Sequence, residues 1–176
     1  MAPTARLMEP AETELVIDYF LGASAEHLEM LGVDPTRLPP REAWRKGFAR
    51  DLALPIAERA SLLVTWLDGD EPAGFSTADK IVHGDQAYMH LHVFEPERRG
   101  RGFGAECVRA TAALYIETLR LKRLFCEPNA FNIAPNRCLQ KAGFSYVKTH
   151  MTVPGPLNFH QPVTRWMLQG PGLFDA

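Results

Sequence analysis

Six consecutive residues, Arg99-Gly100-Arg101-Gly102-Phe103-Gly104, combine three glycines with two arginines. Glycines let a backbone turn sharply and approach a ligand closely. Arginines add charge and bond phosphate oxygens in pairs. A helix that starts beside such a loop has unpaired first-turn N–H groups and a dipole that favours an anion. The chemistry that fits is the cradling of a diphosphate. Two other phosphate loops fail on spacing. A dinucleotide loop needs G-x-G-x-x-G on a first βα turn, whereas these glycines run G-x-G-x-G. A Walker loop ends in Gly-Lys-Ser/Thr, which is absent here.

A second segment, Asn132 to Phe144, has its own local logic. Asn132 is a good N-cap. Pro135 falls in a first turn, where a missing N–H is harmless. Gly143 suits the left-handed position after a helix, and Phe144 the hydrophobic residue that follows.

The elements that must position these segments read as follows. Residues 1–60 are predicted helical: Ala11 to Leu21 with Leu15, Val16, Tyr19 and Phe20 at helical spacing, a short piece capped by Ser24, and Arg41 to Leu54 with Trp44 and Phe48 one turn apart. From Ser61 the period changes to two. SLLVTWL, Ala73 to Val82 and Ala87 to Phe94 are three predicted antiparallel strands joined by short turns. In the third, Tyr88, His90, His92 and Phe94 share one face, and Met89, Leu91 and Val93 the other. A long helix to about Leu119 follows the glycine loop, its apolar face including Phe103, Cys107 and Leu114. Arg123 to Cys126 is a short strand. Tyr146 to Met151 and Val163 to Leu168 are the last two.

Composition sets the class. Of 176 residues, 46% are hydrophobic and 23% charged, enough for a sizeable core and against disorder. A formal net charge of -2 gives no general pull toward nucleic acid or anionic membrane. Three dispersed cysteines show no metal spacing and read as reduced thiols, so no metal is expected. MAPTARLMEP lacks the apolar run of a signal peptide, and no run of about 18 apolar residues occurs. The expected location is cytoplasmic.

Together the two motifs resemble the Gcn5-related N-acetyltransferase (GNAT) superfamily. Arg99, Gly102 and Gly104 match its Arg/Gln-x-x-Gly-x-Gly/Ala motif. Asn132, Arg137, Leu139, Lys141, Gly143 and Phe144 match a later one, in the right order and about 30 residues on. The match covers about residues 61–150. Arg137 and Leu139 look closest to the branch with ribosomal-protein N-terminal acetyltransferases and some antibiotic acetyltransferases. The resemblance implies an α+β fold in α/β/α layers. Its central sheet is mixed and mostly antiparallel, with helices on both faces and a splay between the fourth and fifth strands. It also implies one domain over 1–176: a helical acceptor-side region (1–60), an acetyl-CoA-binding core (61–150) and C-terminal strands (151–176).

The implied activity is direct transfer of an acetyl group from acetyl-CoA to a primary amine. The acceptor is a small molecule such as a polyamine or aminoglycoside, or a protein N-terminus. Arg99, Gly100, Arg101, Gly102, Phe103 and Gly104 would hold the coenzyme A pyrophosphate. Backbone groups of His92, Val93 and Phe94 would pair with the pantetheine, and Asn132 and Asn136 would bond the cofactor arm. The base candidates are Glu127, His92 and His90. Two positions depart from the family pattern. Pro135 stands where Ser or Ala is common, and Leu139 where many members have the Tyr that protonates the leaving thiolate. Leu139 keeps a second reading open, a non-catalytic domain that binds or senses acyl-CoA. A third is an interaction domain whose glycine loop holds no nucleotide. Trp44, Trp66 and Trp166 divide between core packing and an acceptor pocket, with the core favoured. The irregular stretch Pro154 to Pro162 is expected to shape the acceptor site or a homodimer contact. The 1–60 helices are expected to wall the acceptor side.

Overall fold

The computed structural model describes residues 2–95 and 102–171. Among these residues seven strands form one sheet: β1 (Thr4–Leu7), β2 (Leu62–Asp68), β3 (Glu71–Val82), β4 (Gln86–Val93), β5 (Arg123–Cys126), β6 (Ser145–Thr152) and β7 (Gln161–Gln169). Their order is β1-β2-β3-β4-β5-β7-β6. Every neighbouring pair is antiparallel except β4 and β5. The mixed α+β architecture expected from the sequence is the one observed.

The helices are α1 (Thr13–Leu21), α2 (Ala25–Leu31), α3 (Arg41–Leu52), α4 (Phe103–Leu119) and α5 (Ile133–Lys141). They cover opposite faces of the sheet. α4 and α5 pack Cys107, Val108, Tyr115 and Leu139 against Leu62, Val64, Trp66, Met89 and Leu124. α1 and α2 pack Val16, Phe20 and Leu28 against Leu63 and Phe75. The alternation of β4 decides which side each residue serves: Met89, Leu91 and Val93 face α4, and Phe94 packs with the α1 side.

Local chemistry explains the ends of these elements. Ser24 caps α2 by accepting from the His27 N–H. α5 closes as its sequence requires: Gly143 sits at φ 97, its N–H bonds the Gln140 carbonyl, and Phe144 N–H bonds Leu139. Asn132 occupies the N-cap of α5 but makes no side-chain capping bond. Two buried polar side chains tie α4 to the sheet. Trp66 Nε1 donates to Thr111 Oγ1 at 2.7 Å. The Tyr115 hydroxyl donates toward the Leu62 carbonyl and Ser76 Oγ, each at 3.1 Å.

One expectation fails. Residues 1–60 are not helical throughout, because Thr4–Leu7 is a strand paired with β2, Leu7 opposite Val64. The four residues show no apolar alternation. Their conformation is set by a distant partner rather than by local propensity. Arg6 then secures the corner, with two 2.8 Å bonds to Glu12.

Candidate active site

Parallel pairing of β4 with β5 runs from Gln86↔Arg123 to Met89↔Cys126 and stops there. β4 continues to Val93 on β3 alone. Beyond Met89 the two strands part. Phe94 N–H bonds the Ala73 carbonyl on β3, so by alternation the amide groups of Leu91 and Val93 face the gap. Of the expected trio His92, Val93 and Phe94, Val93 presents its backbone there. Leu91, which the sequence reading did not single out, joins it; the period of two was the signal that could have found it.

A cavity of about 610 Å³ fills this gap. Leu91, His92 and Val93 form one wall, the start of α4 (Gly102, Gly104, Ala105) the floor, and α5 (Asn132 to Pro135, Cys138) the other wall. Gly102 precedes α4 at φ 85, a conformation that disfavours any side chain. Helical bonding begins with Glu106 N–H to the Gly102 carbonyl, so the amides of Phe103, Gly104 and Ala105 end the helix unpaired within it. Gly104 is close to α5: a Cβ there would lie 3.1 Å from Cys138 Sγ. Arg99, Gly100 and Arg101 lie outside the described residues. Asn132 lines the cavity, but Asn136 does not. Its amide instead donates to the carbonyls of Asn129 and Asn132 and accepts from Trp166 Nε1. Burial pushes the Cys138 thiol up to about 11. Leu139 is fully buried in the core and does not line this cavity.

A second cavity, about 430 Å³, opens on the α1–α3 side. The two share Leu31, Leu91, His92, Asn132 and Pro135 at their junction. The three base candidates all line the second cavity, in different settings. His92 stacks on Phe75 at 4.6 Å and meets Tyr19 and Phe20 edge-on. Loss of hydration, then the nearby His90 and His27, push it down to about 3, so the ring is neutral. Glu127 is almost wholly buried and pinned by Arg165 Nε at 2.6 Å, with His150 Nε2 at 3.5 Å. His90 Nε2 lies 3.1 Å from Asp79 Oδ2. Asp79 is a further site residue that sequence reasoning missed. Its Oδ1 is buried with no hydrogen-bond partner among the described residues.

The stretch expected to shape an acceptor site does line the second cavity, through Pro154 to Asn158 and Gln161; Phe159 and His160 do not. It is clasped to the end of α2. Asn158 and Gln161 side-chain amides both donate to the Gly32 carbonyl, at 3.0 and 2.8 Å. Lys80, in a left-handed conformation at φ 48, donates its Nζ to the Pro154 carbonyl at 2.7 Å. Trp44 lines the second cavity; Trp66 and Trp166 are buried, Trp66 also lining the first cavity. Among the described residues no group of three or more His, Cys, Asp or Glu could hold a metal. No helix among them is long and apolar enough to cross a membrane.

The chain belongs to the GNAT acetyltransferase family: the profile of the acetyltransferase (GNAT) domain matches residues 7–145. No curated protein matches it by sequence. Solved structures share its fold at low identity. The aminoglycoside acetyltransferase AAC(6')-Ib, solved with coenzyme A, is 16% identical at TM-score 0.70, over 96% of this chain and 95% of its own. The ribosomal L7/L12 α-N-protein acetyltransferase RimL, also with coenzyme A, is 16% identical at TM-score 0.74, over 97% and 95%. A spermidine N-acetyltransferase chimera of Vibrio cholerae SpeG and hSSAT is 15% identical at TM-score 0.73, over 96% of each.

Proposed function

We propose that this protein is an acetyl-CoA-dependent N-acetyltransferase acting on a primary amine of a small molecule or a protein N-terminus. The observation that supports it most is the meeting of two cavities where β4 leaves β5. One has the unpaired start of α4 and two backbone edges of β4, which suit a pyrophosphate and an amide-bearing arm. The other meets it at His92 and is lined by His90, Asp79 and Glu127. Relatives of this fold bind coenzyme A and include acetyltransferases for aminoglycosides, a ribosomal protein and spermidine.

In this reading the acceptor enters as an ammonium. His90 takes one proton, with Asp79 balancing the imidazolium that forms. The free amine attacks the thioester carbonyl, forming C–N as C–S breaks. The second amine proton ends on the departing sulfur through solvent, since Leu139 supplies no acid. His90 returns its proton to water. His92 and Glu127 serve less well: one is held neutral among aromatic rings, the other is held by Arg165. The two backbone edges of β4 polarise the carbonyl.

Thermal shift with acetyl-CoA and coenzyme A tests the first half. Ligand at about 100 times its dissociation constant should add about 2.7 kcal/mol, and Gly102→Trp should abolish the effect. Release of free thiol in the presence of amines tests the second. A folded sample with no shift at millimolar acetyl-CoA would sink the proposal.

A further inference from the structure

The helix α5 has two faces with different duties. Leu139 and Ala142 are buried in the core. Ala134, Arg137, Cys138 and Lys141 recur at helical spacing and line the first cavity. Neither Arg137 nor Lys141 has a part in the transfer step.

The first cavity is one-sided in charge. Arg137 and Lys141 are the charged residues among its described lining, and no described carboxylate lines it. Neither cation makes a salt bridge or a side-chain hydrogen bond with another described residue. The cations of α3 are answered: Arg41 reaches Glu14 at 2.9 Å and Asp18 at 2.7 Å. Two like charges one turn apart on a helix repel each other. Lys141 at least suits the last turn of α5, where the dipole favours a cation. Arg137, in mid-helix, has no such reason to be there.

Their place along α5 points to an anion. Pro135, near the start of the helix, lines both cavities, at the junction where a thioester would sit. Cys138 is a turn further on, against the unpaired amides of α4: a Cβ on Gly104 would lie 3.1 Å from its Sγ. Lys141 is nearly a turn beyond that, about 9 Å along the axis from Pro135. Coenzyme A runs in the same sequence: thioester, pantetheine arm, pyrophosphate, then a ribose with its 3′-phosphate. With the pyrophosphate on the α4 amides, the group that falls next to Arg137 and Lys141 is this last phosphate.

Resting on the coenzyme A reading of this cavity, we infer that Arg137 and Lys141 hold the 3′-phosphate and that the chain selects its donor by it. The two cations have a ligand to answer them, and 3′-dephospho-coenzyme A is a poor substitute for the full cofactor.

Calorimetric titration of the full chain with coenzyme A and with 3′-dephospho-coenzyme A reads the inference without turnover. Coenzyme A should bind at least about tenfold tighter. Arg137→Met and Lys141→Met should each remove part of that preference, and the double variant nearly all of it, by weakening coenzyme A alone. Both side chains are exposed, so their replacement leaves the core intact. Equal affinities in the wild type overturn the inference. So does a double variant that weakens both ligands alike, which would put the cations on the pyrophosphate. A folded wild type that binds neither ligand refutes the coenzyme A reading itself, whereas tight binding of both refutes only the role of the 3′-phosphate.

Discussion

The packing of His92 among Phe75, Tyr19 and Phe20 has a thermodynamic consequence. Folded, the ring is pushed down to about 3, mainly by lost hydration. Unfolded, it takes up a proton below its ordinary value of 6.5. The stability tied to this group is therefore complete above about 6.5 and is lost as pH falls, until the folded value is reached. Each pH unit in that window costs about 1.36 kcal/mol for one proton. Between pH 7.5 and 4.5 the loss is about 2.7 kcal/mol, and any folded value well below 4.5 leaves it nearly unchanged.

His92→Phe isolates the effect. A phenyl ring keeps the stack on Phe75 and the edge contacts with Tyr19 and Phe20, and it cannot titrate. Urea unfolding, followed by tryptophan fluorescence at several pH values, gives both stability curves. Other titrating groups act on both proteins and cancel in the difference. Relative to the wild type, the variant should gain about 2–3 kcal/mol between pH 7.5 and 4.5. Parallel curves would refute the claim that His92 is held neutral among these rings.

Other perturbations follow from the same geometry. Arg165→Met leaves Glu127, with 3% of its side chain exposed, without its 2.6 Å partner; stability at pH 7 should fall by about 3–5 kcal/mol in chemical denaturation, and a loss under about 1 kcal/mol would contradict the burial. Gly32→Ala puts a Cβ at φ 69 and 2.0 Å from the Gln161 side chain. It should cost about 1–3 kcal/mol and raise KM for the amine but not for acetyl-CoA in steady-state kinetics, since Gln161 clasps the Pro154–Asn158 stretch. His90→Gln should lower kcat about 100-fold with KM for acetyl-CoA unchanged; an unaltered kcat would move the base elsewhere.

What the sequence disclosed was what is local. The strand run from Leu62 to Val93 is written in period-two alternation and short turns, and α4 and α5 in their glycines and caps. β1 was invisible because only its distant pairing with β2 makes it a strand. Asp79 was missed for a subtler reason. Alternation alone puts Phe75, Thr77 and Asp79 on one face of β3. Which β4 residues they meet depends on register, and the register shifts between Asp79 and Val82, around left-handed Lys80. Asp79 lies opposite Tyr88 and diagonal to His90, which pairs with Thr77, and a slip that set it opposite Gln86 would have taken it out of reach.

The same register accounts for the site as a whole. β5 is four residues long and β4 eight, and they begin level, Gln86 opposite Arg123. The surplus half of β4 therefore runs on with β3 on one side and open space on the other. One face of that surplus, Leu91 and Val93, belongs to the cleft beneath α4 and α5. The opposite face, His90 and His92, belongs to the cavity under α1 and α3. Leu91 and His92 line both cavities, so the two spaces meet where the sheet is open. A length mismatch between two neighbouring strands supplies that opening. It also explains why the two cavities meet at Leu91 and His92, of which the sequence had singled out only His92.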